Sequence, residues 1–148
     1  MVGGRLRNVM AYKFERLEVW QLALEYADAI YAIGEQLPRS EEYNLKSQIV
    51  RAATSIALNI AEGSTSQSDA EQARFLGFAI RSSVETVACQ HLINRRQYLG
   101  NPETLRDAYR LSEKLFAKLH AFRSSLGKTG GAVREESAPY EYDADVPF

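Results

Sequence analysis

Between Arg51 and Gly63 the chain reads Arg-Ala-Ala-Thr-Ser-Ile-Ala-Leu-Asn-Ile-Ala-Glu-Gly, with charge only at Arg51 and Glu62. Small residues alternate with Ile56, Leu58 and Ile60. A helix that is apolar nearly all round is buried on most sides, so this segment belongs at the centre of a helical assembly. A thin polar line crosses it: Gln48, Arg51, Ser55, Asn59 and Glu62. Spacings of three and four place these residues on one stripe. Buried polar groups need partners, so the stripe is expected to meet a neighbouring helix.

The rest of the chain supplies such neighbours. Trp20, Ala23, Ala27, Ile30, Gly34 and Leu37 repeat at helical spacing, widened by Leu17, Leu24 and Tyr31, and predict a first helix from Phe14 to Leu37. Pro38 ends it. Ser40, Glu41 and Glu42 read as the N-cap and acidic first turn of the second helix, and Gly63 as its C-terminal residue. Ser68-Asp-Ala-Glu71 has the capping-box pattern and opens a third helix ending at Gly100, ~45 Å long at 1.5 Å per residue. Asn101-Pro102-Glu103 then caps a fourth, with Leu105, Ala108, Leu115, Leu119, Phe122 and Leu126 inward. Four long helices with short connections predict an all-α, antiparallel up-down four-helix bundle over residues 14–126. Residues 1–13 read as an N-terminal extension and 127–148 as a disordered acidic tail.

Charge divides the same way. Beyond Leu126 lie two basic and five acidic residues, against sixteen basic and fourteen acidic before it. The overall net charge of −1 argues against a protein that coats nucleic acid indiscriminately. Arg5 and Arg7 precede no apolar run of the secretory kind, and no stretch approaches bilayer-spanning length. The cytoplasm is the expected compartment, with no membrane partner.

Arg51-Ala-Ala, Ser55-Ile56 and Asn59-Ile60-Ala61-Glu62-Gly63 closely resemble the signature of the 23S rRNA intervening-sequence proteins, a four-helix-bundle family that includes accessory proteins of diversity-generating retroelements. Phe14-Glu-Arg-Leu17-Glu-Val19-Trp20 is similar to the family's first helix. Phe75-Leu76 through Ala79, Ser82 and Glu85 to Tyr98-Leu99-Gly100 is similar to its third. Arg81 and Thr86 depart from the pattern, standing where a small and an apolar residue are usual. The resemblance implies a ring of five subunits, nucleic-acid binding through basic surfaces, and a reverse transcriptase as partner for some members.

Two readings of the polar stripe stay open. Folding the third helix back beside the second brings Arg51 toward Ser82 and Glu85, so Arg51, Ser55, Asn59, Glu62, Ser82 and Glu85 form either a register-fixing network or a buried binding site. Catalysis has little support. Cys89 and His91 are two apart and point away from each other on a helix, and no phosphate loop, nucleophile motif or metal pattern is present. No cofactor or metal is expected.

Basic residues form two candidate tracks for RNA or DNA. Arg74, Arg81 and Arg95 recur on a seven-residue spacing with Arg96 adjacent, and Arg106, Arg110, Lys114 and Lys118 are four apart. Each could grip phosphates or be a solvated face; Glu103, Asp107 and Glu113 interleave with the second. Val50, Ala57, Leu58 and Ala61 leave the second helix little polar side and are expected to meet a second copy. Asp143, Asp145, Val146, Pro147 and Phe148 resemble the acidic tip of bacterial single-stranded-DNA-binding proteins, with Ala144 interrupting the acids. In such a tip the phenyl ring fills an apolar pocket, the main-chain end meets a basic residue, and the partner is a protein that docks acidic Pro-Phe tails. The expected role is a non-catalytic, homo-oligomeric accessory or scaffold protein for nucleic acid, the alternative a protein–protein adaptor recruiting through its tail.

Overall fold

The computed structural model describes residues 11–127 and 146–148. Among them are four α-helices and two short 3-10 turns, with no strand. α1 spans Glu18–Gln36, α2 Leu45–Ser64, α3 Asp69–Arg96 and α4 Pro102–Ser125. The helices pack in a closed cycle, α1 on α2, α2 on α3, α3 on α4 and α4 on α1, and side chains of α1 and α3 meet across the core. Every neighbouring pair is antiparallel. Tyr31 meets Thr54 across α1 and α2, and Ser55 meets Ser82 across α2 and α3. His91 meets Tyr109 across α3 and α4, and Glu18 meets Lys118 across α1 and α4. This is the up-down four-helix bundle that the helical periodicities predict.

Helix ends follow local chemistry. Ser68 accepts from the Glu71 N–H to start α3, and Asn101 accepts from the Glu103 N–H with Pro102 in the first turn of α4. Three boundaries differ from expectation. Phe14 lies in a separate 3-10 turn, Lys13–Arg16, ahead of α1. Ser40 caps nothing: Arg39–Glu41 form a 3-10 turn, the Glu41 carboxylate accepts from the Asn44 side chain at 3.1 Å, and α2 starts only at Leu45. α3 stops before Gly100 because Gln97 turns left-handed at φ 53°. The Gln97 N–H then donates to the Asn94 carbonyl and the Tyr98 N–H to that of Ile93, the paired bonds of a Schellman closure.

The inward face of α1 is rotated from the expected one. Val19, Leu22, Ala23, Tyr26, Ile30, Ile33 and Gly34 are buried, whereas Leu24 and Tyr31 face outward. Ile49, Ala53, Ile56 and Ile60 of α2, Leu76, Ala79 and Ile93 of α3, and Leu105, Ala108, Leu115 and Leu119 of α4 complete the core. Gly63 lies within α2, and its role is close approach. A Cβ there would stand 2.8 Å from Cβ of Phe75, so α2 and α3 cross where only glycine fits.

Candidate nucleic-acid interface

The polar stripe of α2 resolves into a small network and free ends. The Ser82 hydroxyl donates to Ser55 Oγ at 2.9 Å, and the Asn59 amide donates to Ser55 Oγ at 3.0 Å and to the Ser55 carbonyl at 2.8 Å. This joins α2 to α3 and fixes their register. The expected Arg51–Glu85 contact does not form. Both side chains are exposed, and the Arg51 guanidinium reaches Ser47 Oγ, one turn back, at 3.5 Å. Glu62 is exposed as well. Burying an ion pair costs more desolvation than the pairing returns unless its geometry is excellent, so the charged ends of the stripe stay in water. The network therefore holds register and encloses no site.

A second polar cluster lies deeper. Gln90 Nε2 donates to Tyr26 Oη at 2.7 Å, and Tyr26 Oη lies 2.7 Å from Thr86 Oγ1. Thr86 in turn donates to the Ser83 carbonyl at 2.6 Å. Tyr26, Thr86 and Gln90 are fully buried. Thr86, a departure from the apolar pattern, is thus the acceptor for a phenol on α1. Burial pushes the Tyr26 phenol up to about 12. It also raises the Cys89 thiol, with the Glu85 charge adding to the effect. Cys89 is buried while His91 is exposed, so the two do not combine. Among the described residues, no three His, Cys, Asp or Glu side chains gather closely enough to hold a metal ion.

The two basic tracks prove unlike. On α4, Arg106 pairs with Glu103, Arg110 with Asp107 at 3.2 Å, and Lys118 with Glu18 of α1 at 3.4 Å. Lys114 is exposed beside the α1–α4 groove that Glu25 and Asp107 also line. This row is a solvated, largely compensated face. On α3, Arg74, Arg81, Arg95 and Arg96 are exposed, and none of them forms an ion pair among the described residues. Arg74 is propped over the Phe78 ring, 5.3 Å from its centroid, and Phe78 stands edge-on to Phe75. A guanidinium held on an aromatic face keeps its outer edge for a phosphate.

Sequence reasoning missed Arg123. Gly77 sits three residues after Arg74 and four before Arg81, on the same stripe. The Arg123 guanidinium of α4 lies across it, its Cζ 3.5 Å from where a Cβ would be. Three guanidinium groups thus gather along seven residues of α3, about 10 Å of helix, with Arg95 a further ~21 Å along. Glu71 and Glu85 are exposed one turn beyond either end and bound the patch. The sequence signal was the glycine within the arginine spacing; the partner needed the α3–α4 register.

At the other end of the same pair of helices, Phe148 packs against the bundle. Its ring stands edge-on to His91 and Tyr109, and Arg106 Nε donates to its main-chain oxygen at 2.7 Å. Of the expected docking tip, Val146–Phe148 thus lie against the chain's own bundle. Asp143 and Asp145 lie outside the described residues, as does most of the acidic segment. Of the expected oligomer surface, Ala57 belongs to the core of the single chain, Val50 and Ala61 are half-buried, and Leu58 is 55% exposed.

A bundle with this α2 signature defines a class, and comparison with known proteins identifies it. The 23S rRNA-intervening sequence protein family matches residues 15–121; the chain belongs to that family. It is also similar to a crystal structure described as a protein with unknown function from the S23 ribosomal protein family of Bacteroides thetaiotaomicron VPI-5482. That similarity is 28% in sequence, covers 68% of this chain and 94% of the other, and has a TM-score of 0.63. None of the curated proteins matches this chain. Among the described residues no helix is long and apolar enough to cross a membrane.

Proposed function

We propose that this protein is a non-catalytic accessory or scaffold that associates with structured RNA through the outer face of α3, working as a homo-oligomer joined through α2. The observation that carries the reading is the uncompensated row of Arg74, Arg81 and Arg95 with Arg123 laid across Gly77. Backbone phosphates are recognised by such exposed guanidinium groups without a base-reading motif. The family name points the same way, toward an RNA element. A reverse transcriptase that needs a structured-RNA partner is the other setting the resemblance suggests, and the neighbouring genes discriminate the two.

The test is a fluorescence-anisotropy titration with a structured RNA across salt concentrations. Affinity should fall linearly on a log–log plot against salt. Replacing Arg74, Arg81 and Arg123 together with Gln should weaken binding and reduce the slope by roughly 2–3, at 0.7–0.9 per lost phosphate contact. Neutralising Arg110 and Lys118, already paired with acids, should change it much less. Absence of binding by the unaltered protein at low salt would leave the adaptor reading ahead.

A further inference from the structure

We propose that His91, Arg106 and Tyr109 form a binding site for a Pro-aromatic peptide segment, and that the chain's own Val146–Phe148 is its resident ligand. His91 of α3 and Tyr109 of α4 face each other edge-on with ring centroids 6.4 Å apart. The Phe148 ring completes the triad at 5.0 Å from His91, tilted 70°, and 5.5 Å from Tyr109, tilted 80°. All three pairings are of the edge-to-face kind that the ring quadrupole favours.

A second contact reads the backbone. Arg106 Nε donates to the Phe148 main-chain oxygen at 2.7 Å, while its Nη1 is held by Glu103 one turn earlier. Glu103 therefore orients the guanidinium, and Arg106 presents its remaining edge to the peptide. Side chain and main chain are recognised together, by groups from two helices whose antiparallel register brings residues 91, 106 and 109 to one level. Phe148 is half-buried and joins the partly buried shell around the core. Pro147, exposed, stiffens the approach at fixed φ. This assignment rests on contacts separate from Arg74, Arg81 and Arg123 and stands or falls independently of RNA binding.

A tethered ligand meets its site at an effective concentration of the order of millimolar. A seated tip therefore requires an intrinsic Kd no weaker than that. The experiment uses the full chain. In the unaltered protein, NMR should show cross-relaxation between the Phe148 and Tyr109 rings. Phe148→Ala empties the site, and a peptide matching residues 140–148 should then shift the His91 and Tyr109 resonances saturably. It should bind the unaltered protein at least about twofold more weakly, because that site is already filled by the tethered tip. The same peptide ending in Ala should not bind. Tyr109→Ala or Arg106→Gln, introduced beside Phe148→Ala, should each weaken peptide binding several-fold; circular dichroism confirms that the helices persist. No saturable shift up to about 5 mM peptide, or equal binding by the Ala peptide, overturns the proposal. Cross-relaxation seen only between differently labelled copies would place the tip on a second chain and overturn the resident-ligand assignment.

Discussion

Tyr26 sits at the middle of the core inside a one-way chain of donors. Thr86 has one hydroxyl hydrogen and gives it to the Ser83 carbonyl, so Tyr26 must donate to Thr86 while accepting from Gln90. A phenolate could not play that part, and burial holds the folded phenol at about 12 against an ordinary 10.0. In the unfolded chain this tyrosine ionises near pH 10 while in the folded chain it stays protonated. Unfolding therefore releases a proton above pH 10. Stability should fall as pH rises from 10 toward 12, by about 2–3 kcal/mol in total, and level off beyond. Urea unfolding at stepped alkaline pH checks this, and Tyr26→Phe should flatten this part of the pH dependence. At neutral pH the same substitution should cost about 1–3 kcal/mol, since the Gln90 amide loses its buried acceptor. The sequence marks Thr86 as an oddity on an apolar face; its reason lies sixty residues away on another helix. Ser55, Asn59 and Ser82 were legible because hydroxyl and amide groups at helical spacing must find one another when buried. Arg51, Glu62 and Glu85 were misplaced because long charged side chains at the margin of a contact reach water instead.

At the scale of elements, helix boundaries were legible where a capping side chain marks them and were missed at the starts of α1 and α2 and at the end of α3. Ser68 and Asn101 announce α3 and α4 through side-chain acceptors, which the sequence displays. Gln97 in the left-handed region has no such signature, since Gly100 three residues on offers a cheaper stop. Two substitutions test this account. Gln97→Gly should stabilise the protein by about 0.5–1 kcal/mol, because glycine adopts positive φ without the Cβ penalty. Gly63→Ala should destabilise it by about 1–3 kcal/mol, because the added methyl meets the Phe75 side-chain root at 2.8 Å and neither helix backbone can give. Thermal unfolding of both variants beside the unaltered chain decides it. A harmless Gly63→Ala would mean that glycine is there for its backbone and not for the crossing. The rotated face of α1 has a plain cause. Leu24, Tyr31, Val19, Leu22 and Tyr26 are all hydrophobic, so periodicity alone fits more than one inward direction, and only packing against α2 and α4 selects among them.

For the whole molecule, the bundle was legible because four periodic segments and short connections admit few arrangements. How bundles join is a different matter. The single chain covers Ala57 but leaves Leu58 55% exposed, Leu24 40% and Tyr31 48%, with Val50 and Ala61 half-buried nearby in α2. Leu24 and Tyr31 belong to α1 and Leu58 to α2, the adjacent helix. An assembly through this side predicts a sharp asymmetry for Leu58→Glu. In an isolated bundle the new carboxylate would stand in water, and surface changes of that kind stay within about 0.5 kcal/mol. In an interface it would be stripped of water without a partner, at a cost of several kcal/mol. The variant should therefore keep its helicity and lose its assembly. Multi-angle light scattering at micromolar concentration should report particles several chains in mass for the unaltered protein and a mass near 16.6 kDa for Leu58→Glu. A single-chain mass for the unaltered protein would remove the oligomer from the proposed function and leave the arginine row of α3 to act on one bundle alone.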